Sequence, residues 1–296
     1  MRVPMCERLT PACRRLLPRR PAVRAKPSQW VASPVVPDTS SAQARDALAD
    51  PLAAVAAMPE VVAAAGAARA AVDRLLTSRV LRRQSAAVSV EAGLRSARAS
   101  AALAGVDVPL EELRTGGNPD PYVQGALRVS AELGSLRETF IRAPRQVLAR
   151  LHVLAAADLT APEKLGRPRE GDDAAAVARR LGALAELLAQ PTKAPAAVVA
   201  AIVHGELLAL EPFAEANGIV ARGAARLVLL SRGLDPKALT SPDVGHVELR
   251  EEYGVAAQSY AEGGRDGLAQ WVSHCCRAVE LGARDSLAIC EALARG

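Results

Sequence analysis

An all-α protein is the fold class this sequence predicts, on three observations. Half of the 296 residues are hydrophobic but only 2% are aromatic, so any core is built from Ala, Leu and Val. Ala and Leu are strong helix formers, and apolar residues recur at helical spacing along most of the chain. Pro and Gly fall between those periodic runs, where helices end. The length is enough to bury a sizeable core in one domain or two small ones.

Residues 1–45 are rich in Pro and Arg and have no period, which predicts a disordered basic tail ahead of a helical domain at 46–296. The first 40 residues carry eight basic and two acidic side chains, so the formal net charge of +5 belongs to the tail and the remainder is close to neutral. A folded part without a basic face is not expected to bind nucleic acid. The tail itself is either a basic arm for nucleic acid or membrane, or a dispensable extension ahead of a later start such as Met58. Only four of the 37 basic residues are lysine (Lys26, Lys164, Lys193, Lys237), a bias that with so much Ala points to GC-rich coding.

Beyond the tail, Ala-rich apolar runs predict helices near 51–64 and 65–80. Further helices are expected at 85–104, 119–140 and 144–157, with Pro109, Gly116-Gly117 and Asn118-Pro119 as punctuation. The polar segment 160–173 contains Pro162, Gly166, Pro168 and Gly171 and is the one place that suits a short β-hairpin flap. Helical spacing returns at 173–189, 194–210, 219–231, 242–262 and 264–281, with a final helix to 294. Pro191, Pro195 and Gly233-Leu234-Asp235-Pro236 are stop signals. No internal repeat is present.

Five cysteines (Cys6, Cys13, Cys275, Cys276, Cys290) make an odd count without paired spacing, which argues against a disulfide framework. His274 stands beside Cys275 and Cys276, but adjacent helical residues point apart, so a metal site is not expected from that triplet. No apolar run is long enough for a transmembrane helix, and the N-terminus lacks the apolar stretch of a secretory signal. The cytoplasm is the expected compartment, with no membrane partner.

The stretch 200–230 carries the chemistry. Its first part, through Leu210, is apolar at helical spacing; Glu211-Pro212-Phe213 breaks it, because Pro cannot continue a helix interior. Ala216-Asn217-Gly218 reads as a turn, and periodicity resumes at Ile219 with Arg222 in the first turn and Arg226 one turn later. A tight turn feeding a helix N-terminus aims free backbone N–H groups at one spot, a geometry that binds phosphate.

The run Glu211-Pro212-Phe213-Ala214-Glu215-Ala216-Asn217-Gly218-Ile219-Val220-Ala221-Arg222 resembles the active-site loop of the Fic (Fido) family, His-Pro-Phe-x-Asp/Glu-Gly/Ala-Asn-Gly-Arg-x-x-Arg. Pro212, Phe213, Glu215, Asn217, Gly218 and Arg222 match. Glu211 replaces the catalytic His and Ile219 the first Arg. The resemblance extends over about 80–283. Ser100-Ala101-Ala102-Leu103-Ala104-Gly105 resembles the Ser-Ser-x-Ile-Glu-Gly segment, with Ala104 in place of its Glu. Pro121-Tyr122-Val123-Gln124-Gly125-Ala126-Leu127 resembles the helix that follows. Leu151-His152 and Gly166-Arg167-Pro168-Arg169 resemble the elements flanking the substrate-positioning flap. Tyr260 and Trp271 fall where the last helices of the family carry aromatics.

The resemblance implies a Fic-fold helical bundle and a site that transfers AMP from ATP to a Ser, Thr or Tyr hydroxyl of a target protein. In that chemistry the His is the base, the acidic residue holds Mg²⁺, and Asn, backbone amides and two Arg hold phosphate. Here Glu215 retains a carboxylate suited to Mg²⁺, while Asn217, Gly218 and Arg222 retain the phosphate contacts. Ile219 removes a charged donor, a loss of about 1.5–3 kcal/mol of stabilisation. Glu211 can act as a base, but its reference pKa lies about two units below that of His, and its charge opposes a triphosphate. His204, two turns before Glu211, can serve as a substitute base, and it equally suits a hydrogen-bonded core position. Phe213 reads as a core anchor, and His152 and His246 have no evident partner. The Glu missing at Ala104 is the one that in the family inhibits by pairing with the second Arg; a shifted register would place Glu91 there instead. The expected function is a catalytically impaired binding module for a phosphate-bearing ligand or a protein partner. The alternative is an active nucleotidyltransferase using ATP, Mg²⁺ and Glu211 as base. A third reading is a helical regulator whose tail contacts nucleic acid.

Overall fold

The computed structural model describes residues 50–295. The expected tail at 1–45, with Cys6 and Cys13, lies outside the described residues. The order is α1 (Ala53–Ala56), α2 (Pro59–Leu76), α3 (Leu81–Leu103), α4 (Leu110–Thr115), α5 (Pro121–Arg142), α6 (Pro144–Ala156), a 3₁₀ turn (Pro162–Lys164), α7 (Ala174–Ala189), α8 (Ala196–Leu210), α9 (Asn217–Ser231), α10 (Pro242–Glu248), α11 (Arg250–Glu262) and α12 (Arg265–Arg295). No helix is long and apolar enough to cross a membrane among the described residues.

Helix α8 is the axis of the bundle. Every residue from 197 to 207 is buried, as befits a helix that is apolar all round. It packs on α9, α12 and α11. Trp271 on α12 is its main wall, with the indole Nε1 donating to Ala201 O at 2.7 Å. Helix α2 turns Val61, Ala65, Ala68, Val72 and Leu75 inward, the three-and-four spacing of a packing seam, and lays that seam along α12. Helix α5 starts where Asp120 accepts from Tyr122 N (2.8 Å) and Val123 N (3.3 Å), with Pro121 at its first position.

The expected hairpin flap at 160–173 is not formed: the described residues contain no strand. The segment's N–H groups bond elsewhere. Gly166 N donates to His152 Nδ1 (2.9 Å) and Arg169 N to Pro212 O (2.8 Å), and two prolines remove donors a ladder needs. The expected runs at 51–64 and 65–80 become the short α1 and a single α2 started by Pro59. The short α4 was not expected. The expected helix at 242–262 breaks at Leu249 (φ −102, ψ 30) into α10 and α11. Conversely, the last two expected helices are one.

Gly282 lies within that continuous helix. It is a close-approach residue, not a terminator: a Cβ there would lie well inside van der Waals distance of Ser241 O, and one on Gly245 inside that of Ala278 O. The α10–α12 crossing depends on both glycines. Gly245→Ala is expected to destabilise by about 1–3 kcal/mol, the cost of overpacking backbone against backbone. A lowered urea midpoint with unchanged slope would show it.

Candidate functional site

The α8–α9 connection shapes the site. Helix α8 ends as Glu211 enters the left-handed region (φ 43, ψ 62), and Ala216 does so again (φ 56, ψ 21) just before α9. Left-handed conformations cost about 1–3 kcal/mol at non-glycine residues and concentrate at functional sites. Asn217 holds the loop between them: its Oδ1 accepts from Phe213 N (2.9 Å) and its Nδ2 donates to Phe213 O (2.8 Å). Phe213 is buried and stacks flat on His152, with centroids 4.3 Å apart. Burial lowers the pKa of His152 to about 4, so the ring is neutral at pH 7 and its Nδ1 is free to accept from Gly166. The first backbone N–H of α9 bonded back along the chain is that of Val220, to Ala216 O (3.1 Å). The amides ahead of it form the open helix end that suits an anion.

These elements enclose a cleft of about 430 Å³. Glu211, Glu215, Asn217, Gly218, Ile219 and Arg222 all line it, as do Ala104 and Tyr122. Glu211 and Glu215 are exposed. Arg169 pins the loop from the far side: its Nε donates to Glu211 O (2.8 Å), and its guanidinium is bidentate to Asp173 at 2.6 and 2.7 Å.

Arg222 is drawn inward. Its side chain is 4% exposed; Nε donates to Ser100 Oγ and a terminal nitrogen to Ser100 O, both at 2.9 Å. Asp243 lies 3.3 Å from Nε, and Tyr253 Oη is 3.4 Å from the other terminal nitrogen. Asp243 is itself buried and accepts from Ser96 Oγ at 2.6 Å. Below it, Arg226 bonds Ser130 Oγ (3.2 Å); burial lowers its pKa, with Asp243 and Asp235 opposing.

His204 does not line the cleft. It is 1% exposed, with Nε2 3.0 Å from Tyr253 Oη, and its ring packs against His246 and Trp271. Glu91 is remote from Arg222, bound instead to Arg95 and Arg114; the position at the cleft is Ala104. Sequence reasoning missed Asp243, the partner of Arg222. At the start of a short helix it looks like any first-turn acid. It also missed Tyr253. Ser100 was in view only as part of the segment before Ala104.

The helical fold matches solved structures. A Fic family protein from Desulfovibrio desulfuricans G20 superposes with a TM-score of 0.62 at 21% identity, covering 78% of this chain and 75% of that one. The chain has the Fic fold. Fic-1 from C. elegans agrees, with a TM-score of 0.62 at 18% identity over 86% of this chain and 79% of that one. A variant of the same C. elegans fragment gives 0.58 at 18% identity, over 85% and 78%. No protein-family profile and no curated protein matches the sequence. Within the Fic fold of this chain, the α8–α9 loop is the segment that resembles the family's active-site loop.

Proposed function

We propose that this Fic-fold protein does not transfer AMP and acts as a binding module that presents its cleft to a protein partner. The observation that carries this reading is the state of Arg222. It is the one motif cation retained, and it is neutralised at 3.3 Å by Asp243 and bound twice to Ser100. At the first motif Arg position stands Ile219, which is buried and apolar. Two exposed carboxylates, Glu211 and Glu215, then face the cleft with Arg169, whose charge is matched by Asp173. That balance does not fit a triphosphate, although Glu215 and Glu211 suit a Mg²⁺ ion as hard oxygen donors.

The second reading, an active nucleotidyltransferase, is favoured by one observation. The exposed Glu211 carboxylate borders the same cleft as the open N-terminus of α9, so a base and an anion-binding end are adjacent. There Glu211 would take the target hydroxyl proton, and Glu215 would hold Mg²⁺.

Calorimetric titration of ATP into the full chain, with and without Mg²⁺, separates the two. The expected result is no saturable binding up to millimolar ATP, and no protein labelling from ATP carrying its label on the α-phosphate. Mg²⁺-dependent binding that Arg222→Ala abolishes, with labelling that Glu211→Ala abolishes, would establish the enzyme instead.

A further inference from the structure

Behind the cleft, three helices bring together side chains that neither reading uses. His204 of α8, His246 of α10 and Cys275 of α12 are all buried, and each offers a ligand atom within 4.8 Å of the others. We propose that His204, His246 and Cys275 form a buried transition-metal site, with zinc the best-suited ion. This inference does not depend on whether the cleft is catalytic.

The donor set fits. Two imidazoles and a thiolate suit zinc or copper, and not the oxygen-seeking Mg²⁺. Zinc holds nitrogen at about 2.0 Å and sulfur at about 2.3 Å, which sets tetrahedral donors roughly 3.3–3.5 Å apart; the three donors, within 4.8 Å of one another, would draw together by up to about 1.5 Å on binding. Three protein ligands leave one position for a non-protein ligand.

The surroundings fit as well. A metal-bound His normally engages its second ring nitrogen with an outer partner, and both do so here. His204 Nε2 is 3.0 Å from Tyr253 Oη, and His246 Nδ1 is 3.0 Å from His274 Nε2. Metal binding through the other nitrogen of each ring, His204 Nδ1 and His246 Nε2, would leave both contacts in place. The nearest cation, Arg222, is compensated by Asp243. The Cys275 thiol must lose its proton to solvent as the metal–sulfur bond forms; no electron transfer is involved.

A way in exists. His274 also lines a second cleft of about 430 Å³, whose walls include the carboxylates of Glu251 and Glu252. Its Nδ1 is buried without a hydrogen-bond partner. Arg277, paired with Glu252 at 2.9 Å, lines the same cleft, and His274 links it to His246 through the 3.0 Å ring contact. A bound ion would tie α8, α10 and α12 together behind Tyr253, whose hydroxyl contacts both His204 and Arg222.

The test is cobalt titration of the reduced, chelator-stripped full chain. The expected result is one Co²⁺ per chain, with a thiolate-to-cobalt charge-transfer band in the near ultraviolet and intense four-coordinate visible bands. The charge-transfer band should vanish in Cys275→Ser, weaken in His246→Gln, and survive in Cys276→Ser and in the double variant Cys6→Ser/Cys13→Ser. Zinc should raise the thermal midpoint of the wild type and not that of Cys275→Ser. The proposal is overturned if the double tail variant gives no charge-transfer band at micromolar Co²⁺, a result independent of how Cys275→Ser folds. It is also overturned if the band persists in Cys275→Ser.

Discussion

Between pH 6.5 and pH 5, in chelator, the protein is expected to lose several kcal/mol of stability. The chain holds four histidines, and all are buried: His152 at 0% exposure, His204 at 1%, His246 at 3% and His274 at 4%. Burial lowers every one of their pKa values from the ordinary 6.5, to about 4 for His152 and His274 and well below 6.5 for the other two. Arg222 pushes His204 and His246 further down; Glu252 pulls His274 up, and Arg277 pushes it down. The unfolded chain therefore takes up protons at 6.5 that the folded chain refuses. Stability is full above 6.5 and falls as pH drops through the window from 6.5 to about 4.

Each group contributes about 1.4 kcal/mol per pH unit inside that window. At pH 5 that is about 2 kcal/mol each for His152 and His274, whose pKa values fall to about 4, against a usual total of about 5–15 kcal/mol; His204 and His246 act in the same direction. Carboxylates titrate mainly lower and add little in this range. Urea midpoints measured at half-unit pH steps should slide steeply between pH 6.5 and 5. A midpoint that stays level across that range would show that the buried imidazoles accept protons in place.

The second large effect is at Asp243. Its carboxylate and the Arg222 guanidinium are 3% and 4% exposed, so removing the acid leaves a cation stranded among neutral groups. Asp243→Ala also strips Ser96 Oγ of its acceptor. The expected loss is about 3–5 kcal/mol, the usual result of breaking one side of a buried pair. The double variant Asp243→Ala/Arg222→Met should recover much of it, because the stranded charge goes too. Chemical denaturation of the three proteins decides the point. A double variant no better than the single would assign the loss to packing and not to charge.

Much of the helical architecture was legible because it rests on apolar periodicity, which survives in a core of Ala, Leu and Val. The ends of α5, α6, α7 and α8 fall within a few residues of their expected places, although Pro195, read as a stop signal, stands at the start of α8. The break expected after 281 is absent: Gly282 there serves the close approach of α10 and α12 and does not end a helix. The flap misled for a related reason. Pro and Gly signal irregular backbone, but whether it pairs as strands depends on distant acceptors such as His152 Nδ1 and Pro212 O. The cleft was legible as a loop because its residues are contiguous. The partners of Arg222 were not, since Ser100 and Asp243 come from α3 and α10, far along the chain on either side. The His204, His246 and Cys275 cluster was hidden in the same way, its members being spread over three helices.

The seam between α2 and α12 has a bearing on how the molecule is made. These helices come from opposite ends of the described chain, yet they share the broadest helix–helix contact in it. On the ribosome, α2 emerges first and must keep the face bearing Val61, Ala65, Ala68, Val72 and Leu75 uncovered until α12 has been synthesised. Contacts so distant in sequence are slow to close, and apolar faces left waiting invite association with other chains. Nascent chains halted before Arg265 should therefore be the ones that chaperones hold longest.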